Sequence, residues 1–302
     1  MRPTFFIVGA PKSGTTALDS YLADHPLIHM ARPKEPHYFA TDLPRYRDVS
    51  TEADYVRLFD AKDCEGVGGD ASVFYLYSKE AIRLIKEFDS NAKLIAMLRN
   101  PIDIVYSFHS QLLFGGDEEI KSFAEAWNAT PARKLGERIP KHCRAKELLY
   151  YDEVALLGNQ LERALSEFPR DQIHLVFFED FAADTAREYR RVLEFLGVAD
   201  DGRAVFPRVN ANRRHRVNFM PAIKRTVGSM RGPIELAKRV LSIERIGLMD
   251  RLKAWDLVYD EREPLSAELE RSIISTYESD IKLLARIANR DLSHWVDKRV
   301  AT

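Results

Sequence analysis

Five short apolar runs punctuate the chain: Thr4–Val8, Leu27–Met30, Gly66–Asp70, Lys93–Leu98 and Ile173–Phe178. Each has the length of a strand, and between most of them the apolar period lengthens to that of a helix. A first helix is predicted to begin near Thr15, bury Leu18, Tyr21 and Leu22, and stop before Pro26. A second starts at Pro101, a favoured first helical position, with Ile104, Val105, Phe108 and Leu112 on its apolar face. A third, from about Thr185, carries Tyr189, Val192, Leu193 and Leu196 and ends at Gly197 as a C-cap. Ser266 to Ala288 reads as a final helix. Strands alternating with helices predict an α/β fold: a central parallel sheet of about five strands in a three-layer arrangement. Residues 112–150 and 218–262, rich in Gly, Pro and charge, are assigned to an acceptor-side lid or peripheral helices of one 1–302 domain.

Composition narrows the class without naming it. At 302 residues, 45% hydrophobic and 30% charged, the chain can bury a large core. A net charge of −1 gives no global pull toward nucleic acid, so none is expected as partner, and any basic surface is local. Cys64 and Cys143 are the only cysteines, which fits a reducing compartment. The apolar strand follows the N-terminus at once, and no run is long enough to span a bilayer. A cytoplasmic protein, or a soluble module of a larger one, is expected.

The chemistry begins at Val8-Gly-Ala-Pro-Lys-Ser-Gly-Thr-Thr16. Gly9 and Gly14 keep the spacing of the phosphate-binding loop G-x-x-x-x-G-K-[ST], and Thr16 keeps its hydroxyl. Thr15, however, stands at the lysine position, and the nearby lysine is Lys12, inside the loop. A lysine there can reach the atom that bridges a leaving phosphate to the transferred group. Backbone amides from Lys12 to Thr16 should converge at a helix N-terminus, with Ser13, Thr15 and Thr16 adding hydroxyl donors. Magnesium-dependent P-loop enzymes follow a later strand with an aspartate. Here Lys93–Leu98 runs into Arg99, Asn100 and Pro101, a cation suited to an unchelated phosphate. Asp103, Ser107 and Ser110 follow on one helix face, so Arg99 and Ser107 can grip an isolated phosphate monoester.

Together the loop and the Arg99-Asn-Pro…Ser107 segment resemble those of sulfotransferases that use 3′-phosphoadenosine 5′-phosphosulfate (PAPS), with bacterial and carbohydrate or heparan-type members the nearest in kind. The resemblance continues through Phe177-Phe-Glu-Asp-Phe181, Leu193-Glu-Phe-Leu-Gly197, Tyr277-Glu-Ser-Asp-Ile281 and Arg290-Asp-Leu-Ser-His-Trp295. It implies a P-loop-like fold and a donor, PAPS, used without metal and released as adenosine 3′,5′-bisphosphate. Lys12, Ser13, Gly14, Thr15 and Thr16 would face the phosphosulfate, and Arg99 and Ser107 the 3′-phosphate. In Asn210-Ala-Asn-Arg-Arg-His-Arg216, a similar segment of bacterial members closes over the donor. Arg213, Arg214 and Arg216 are the candidates there.

Transfer to an alcohol or amine needs a base for the acceptor proton. The segment Arg32-Pro-Lys-Glu-Pro-His-Tyr-Phe39 lies beyond the second strand, where open α/β sheets bind ligands. Its two prolines push Arg32 and Glu35 toward extended backbone. It resembles the carbohydrate sulfotransferase segment whose glutamate is the base, so Glu35 takes that role, with Lys34, His37 and Tyr38 positioning acceptor or donor. Asp70 is expected to assist Glu35, bind acceptor hydroxyls or cap its strand; Ala71 stands where many relatives place a lysine. His109 is an alternative base. Acceptors in reach of this chemistry are carbohydrates, lipids and secondary metabolites, with Phe114 and Trp127 available to stack on a ring. Two rivals remain: a small-molecule kinase using ATP and Mg²⁺, and a nucleotide-binding module without a base.

Overall fold

In a computed structural model, the structure describes residues 1–59, 65–207, 214–215, 257–258 and 264–297. The strands β1 (Pro3–Gly9), β2 (Ile28–Met30), β3 (Val67–Ala71), β4 (Lys93–Leu98) and β5 (Ile173–Phe177) form one sheet in the order β2-β3-β1-β4-β5. Every neighbour pair is parallel. The central strand β1 explains the arrangement through its side-chain alternation. Phe5 and Ile7 join a core on one face; Phe6 and Val8 join a second core on the other. In β4, Ile95 and Met97 share the first face, and Leu94, Ala96 and Leu98 the second. Both faces are covered, so continuous apolar runs are what these strands require.

Helices α1 (Thr15–Ala23) and α10 (Thr185–Leu196) cover the first face, inserting Leu18, Tyr21, Leu22, Tyr189, Val192 and Leu193. The second face takes α3 (Ala81–Phe88), α4 (Pro101–Gly115), α8 (Leu157–Glu167) and α11 (Ala267–Ala288). Helix α4 shows why its sequence folds as it does. The Asn100 side chain accepts from the Ile102 amide at 3.0 Å, Pro101 opens the first turn, and Gly116 closes the last at φ 77°. Its Ile104, Val105, Phe108 and Leu112 are buried, each such side chain worth about 1.5–3 kcal/mol.

Shorter helices complete the described chain. They are α2 (Glu52–Arg57), α5 (Phe123–Asn128), α6 (Thr130–Lys134), α7 (Tyr151–Val154), α9 (Phe178–Ala183) and α12 (His294–Asp297). A two-residue pair, β6 (Arg214–His215) and β7 (Leu257–Val258), is antiparallel. Two expectations change here. The last strand ends at Phe177, and Phe178 opens α9. Trp127, expected free to stack on a ligand, is buried against Phe123 and Tyr277 because α5 packs into the core.

Candidate functional site

The loop between β1 and α1 is built around two backbone conformations that side chains resist. Gly9 sits at φ 144° and Gly14 at φ 91°. A Cβ on Gly9 would come within 2.7 Å of the Val73 carbonyl oxygen, and one on Gly14 within 3.1 Å of the Phe178 ring. The Ala10 amide ties the loop to β4 by donating to the Met97 carbonyl at 2.6 Å. Gly14 is the N-cap of α1 and no side chain caps that terminus; a helix start left this way suits an anion. Lys12 is half-buried and held at φ 64°, a left-handed conformation costly for a residue with a Cβ. Ser13 and Thr15 are buried, Thr16 half-buried; the Ser13 hydroxyl donates to the Pro11 carbonyl at 3.4 Å.

Arg99 leaves the end of β4 and returns to this loop. Its Nη1 donates to the Lys12 carbonyl at 3.0 Å, and its guanidinium carbon lies 4.4 Å from the Phe178 ring centre. Its Nε is buried, 3.5 Å from Asp103 Oδ2, and has no hydrogen bond among the described residues. Ser107 is buried two turns along α4. Ser110 donates to the Tyr106 carbonyl of its own helix at 3.3 Å. The strand β6 lies beside α4. Arg213, Arg216 and the Arg214 side chain lie outside the described residues.

Beyond β2 the chain turns sharply instead of extending. Glu35 sits at φ 62° and His37 at φ 48°, which corrects the extended backbone expected of Glu35 before proline. The tight turn puts a nitrogen near each carboxylate oxygen: the Lys34 Nζ is 2.5 Å from Oε1, and the His37 ring Nε2 is 3.7 Å from Oε2. Burial works to raise the Glu35 pKa, but His37 and Lys34 outweigh it and hold the carboxyl at about 2. With Lys12, these are three of the five non-glycine residues at positive φ among the described residues. Strain gathered this way makes these segments candidates for function. Tyr38, half-buried, stacks on Tyr55 with ring centres 4.5 Å apart.

One residue that the motifs did not single out brings the two halves together. Asp19, one turn into α1, accepts from Arg32 Nη1 at 3.1 Å. Burial raises its pKa, opposed by Arg32 and then Lys34, while Glu35 adds to the rise. The charges of the Glu35 turn are therefore felt on the helix that begins at the phosphate loop. A spacing of three or four from Thr15 and Thr16 could have flagged Asp19; its partner Arg32 could not be read locally.

The other base candidates are placed differently. Asp70 is fully buried and accepts from the hydroxyls of Ser72, Tyr55 and Tyr75 at 2.7–2.8 Å; of the roles expected of it, binding acceptor hydroxyls does not fit this burial. His109, buried in α4, bonds the Ile120 carbonyl through Nε2 at 2.8 Å and packs on Phe123 and Tyr151. The two terminal motifs, Phe177–Phe181 and Arg290–Trp295, clasp each other. Glu179 accepts from Arg290, from His294 at 2.9 Å and from the Trp295 indole at 3.3 Å. The Trp295 carbonyl in turn accepts from Asn100 at 3.3 Å, next to Arg99.

Residues 2–205 match a family described as the sulfotransferase domain. Mouse heparan sulfate glucosamine 3-O-sulfotransferase 3A1 is 29% identical over 65% of this chain and 46% of its own length. Human carbohydrate sulfotransferase 15 is 26% identical, with 65% and 44% covered. The chain thus spans less than half the length of these curated relatives. A crystal structure of a sulfotransferase from Alicyclobacillus acidocaldarius superposes with a TM-score of 0.70 at 28% identity, covering 98% of this chain and 99% of that one.

Proposed function

Because this chain belongs to the sulfotransferase family, we propose that it moves a sulfuryl group from PAPS to a hydroxyl or amine of a carbohydrate acceptor, with Glu35 as base. The observation that carries the reading is the Asp19–Arg32 ion pair, which anchors the Glu35 turn against the helix opened by the Lys12 loop. Donor-binding and proton-accepting groups then serve one bond-making event.

The described residues suit the donor. Uncapped amides of α1, the Lys12 ammonium and the hydroxyls of Thr15 and Thr16 offer a cradle for a phosphosulfate. Arg99, whose buried Nε makes no hydrogen bond among the described residues, and Ser107 suit a 3′-phosphate. In the transfer, the acceptor oxygen or nitrogen attacks sulfur as the bond from sulfur to the 5′-phosphate oxygen breaks. The acceptor proton goes to Glu35, and the bonding pair leaves with adenosine 3′,5′-bisphosphate. Lys12 and the loop amides stabilise charge on that departing oxygen. An arginine after β4, in place of an acid, speaks against the kinase alternative.

Carbohydrate is favoured as acceptor because curated relatives include a heparan sulfate glucosamine 3-O-sulfotransferase. Lipids and secondary metabolites remain within the chemistry, and a cytoplasmic location is part of the same proposal. The test is transfer of ³⁵S from labelled PAPS across heparan, simple sugar, lipid and amine acceptors, with EDTA present. Labelled carbohydrate is the expected result. Label on none of the panel, or transfer only with ATP and Mg²⁺, overturns the proposal.

A further inference from the structure

Asp70 has no solvent-facing oxygen, yet its environment is not that of a generic buried cap. Both oxygens end hydrogen-bond relays that lead to the turn bearing Glu35. Oδ1 accepts from the Ser72 hydroxyl at 2.7 Å, and the Ser72 oxygen accepts from the His37 amide at 3.1 Å. Oδ2 accepts from the Tyr75 hydroxyl at 2.7 Å, and the Tyr75 oxygen accepts from the Phe39 amide at 3.4 Å. A third donor, the Tyr55 hydroxyl at 2.8 Å, holds α2 and, through ring stacking, Tyr38. All of Asp70, Ser72, Tyr55 and Tyr75 are buried.

The direction of each relay matters. A hydroxyl has one proton; Ser72 and Tyr75 each give theirs to the carboxylate, which leaves their oxygens as acceptors for an amide. Only an acceptor-only group at position 70 enforces that polarity at both hydroxyls at once. The amides so fixed lie two and four residues after Glu35, and His37 is held at a left-handed φ that no local preference supplies. The ring of His37 approaches Glu35 Oε2 and stacks on Phe74 with centres 5.0 Å apart.

We propose that Asp70 is a positioning residue for the transfer reaction, acting through Ser72 and Tyr75 to hold the backbone of His37–Phe39 and thereby the orientation of Glu35. This deepens the reading of Glu35 as base and rests on it for its catalytic consequence, but the relay itself can be tested without any acceptor. Its β3 position lets one carboxylate couple the sheet to the turn: Asp70 pairs in register with Phe6 of the central strand.

The experiment is amide hydrogen exchange on the full chain, paired with kinetics on the best acceptor of the panel. Ser72→Ala cuts one relay and Tyr75→Phe the other; Asp70→Asn disturbs both. Ser72→Thr retains the hydroxyl. Ser72→Ala is expected to speed exchange of the His37 amide by about fivefold or more, the equivalent of one lost hydrogen bond. It should lower kcat without changing the KM for PAPS, and Ser72→Thr should restore both exchange and kcat. Tyr75→Phe should do the same at Phe39. If Asp70→Asn does not fold, the single-hydroxyl variants decide. Unchanged exchange at His37 and Phe39, or losses confined to thermal stability with kcat intact, would overturn the proposal. A silent Ser72→Ala beside an inactive Glu35→Gln removes the relay and leaves the base. Faster exchange beside an active Glu35→Gln keeps the relay and removes the base.

Discussion

Arg99 donates to the main-chain oxygen of Lys12 across 3.0 Å, so the two motifs that were candidates for opposite ends of the donor are one hydrogen-bonded unit. The arginine thereby shapes the loop as well as offering charge. Replacing it by lysine keeps a cation but loses the planar fork that could hold the Lys12 carbonyl and, as proposed, a phosphate together. Arg99→Lys should weaken adenosine 3′,5′-bisphosphate binding about 10–100-fold, the range for a charged hydrogen bond. Calorimetric titration measures this directly, and an unchanged Kd would remove Arg99 from the site.

Lys12 carries a different expectation. Its backbone is left-handed at φ 64°, and the proposed mechanism assigns its cation to the bond that breaks, where charge grows during transfer. Lys12→Ala should lower kcat about 10²–10³-fold while donor affinity falls far less, as for other groups that stabilise a developing anion. Steady-state kinetics with product titration separates the two. Equal losses in kcat and affinity would make the lysine a simple anchor.

The pH dependence follows from the Lys34–Glu35–His37 cluster. Glu35 has a pKa of about 2 against an ordinary 4.5, so it is ionised and ready as a base throughout the neutral range. The lowered value also means that this cluster contributes stability above pH 4.5, which is lost as pH falls toward 2. Asp19 and an arriving donor both add negative charge nearby, and the donor should draw Lys34 away. The Glu35 pKa then rises in the complex. The acid limb of kcat should accordingly lie at higher pH than that of kcat/KM, and Lys34→Ala should move the kcat/KM limb upward. Glu35→Gln should leave product binding intact and cut turnover about 10²–10⁴-fold. Coincident limbs in wild type and Lys34→Ala would show that another group titrates.

How much of this was legible in the sequence depends on the range of each contact. Strand β4 and the starts of α1, α4 and α10 were readable because capping, proline and apolar period are local signals. Gly9 and Gly14 were readable because the strand-to-helix loop takes positive φ there, which glycine adopts most readily. The Glu35 turn was misread as extended: the preference of a residue before proline gives way to a turn that brings Lys34 and the His37 ring to its carboxylate. Trp127 was misread as a ligand platform because the core it fills is completed by Tyr277, far along the chain. Asp19 with Arg32, and Asp70 with Tyr55 and Tyr75, depend on sheet order, which no local pattern encodes.

The clasp at the far end of the chain gives the last prediction. Glu179 gathers Arg290, His294 and Trp295, and the chain that carries them sets the Trp295 carbonyl on Asn100. Asn100 caps α4 through Ile102, and Arg99 precedes it. Glu179→Ala therefore removes the acceptor of His294 and of the Trp295 indole, leaves Arg290 its bonds to Asp180, and loosens the cover over the end of β4. These side chains are partly exposed, so the loss is about 2 kcal/mol, less than three fully buried charged bonds would give. A two-state melt should then fall by about 3 °C. The loosened Asn100 should also weaken adenosine 3′,5′-bisphosphate several-fold, so saturating ligand should recover part of the lost melting temperature. Glu179→Gln keeps an acceptor and should fall between the two. A Glu179→Ala protein that melts as the wild type does, or melts lower with unchanged product affinity, would uncouple the clasp from the donor site.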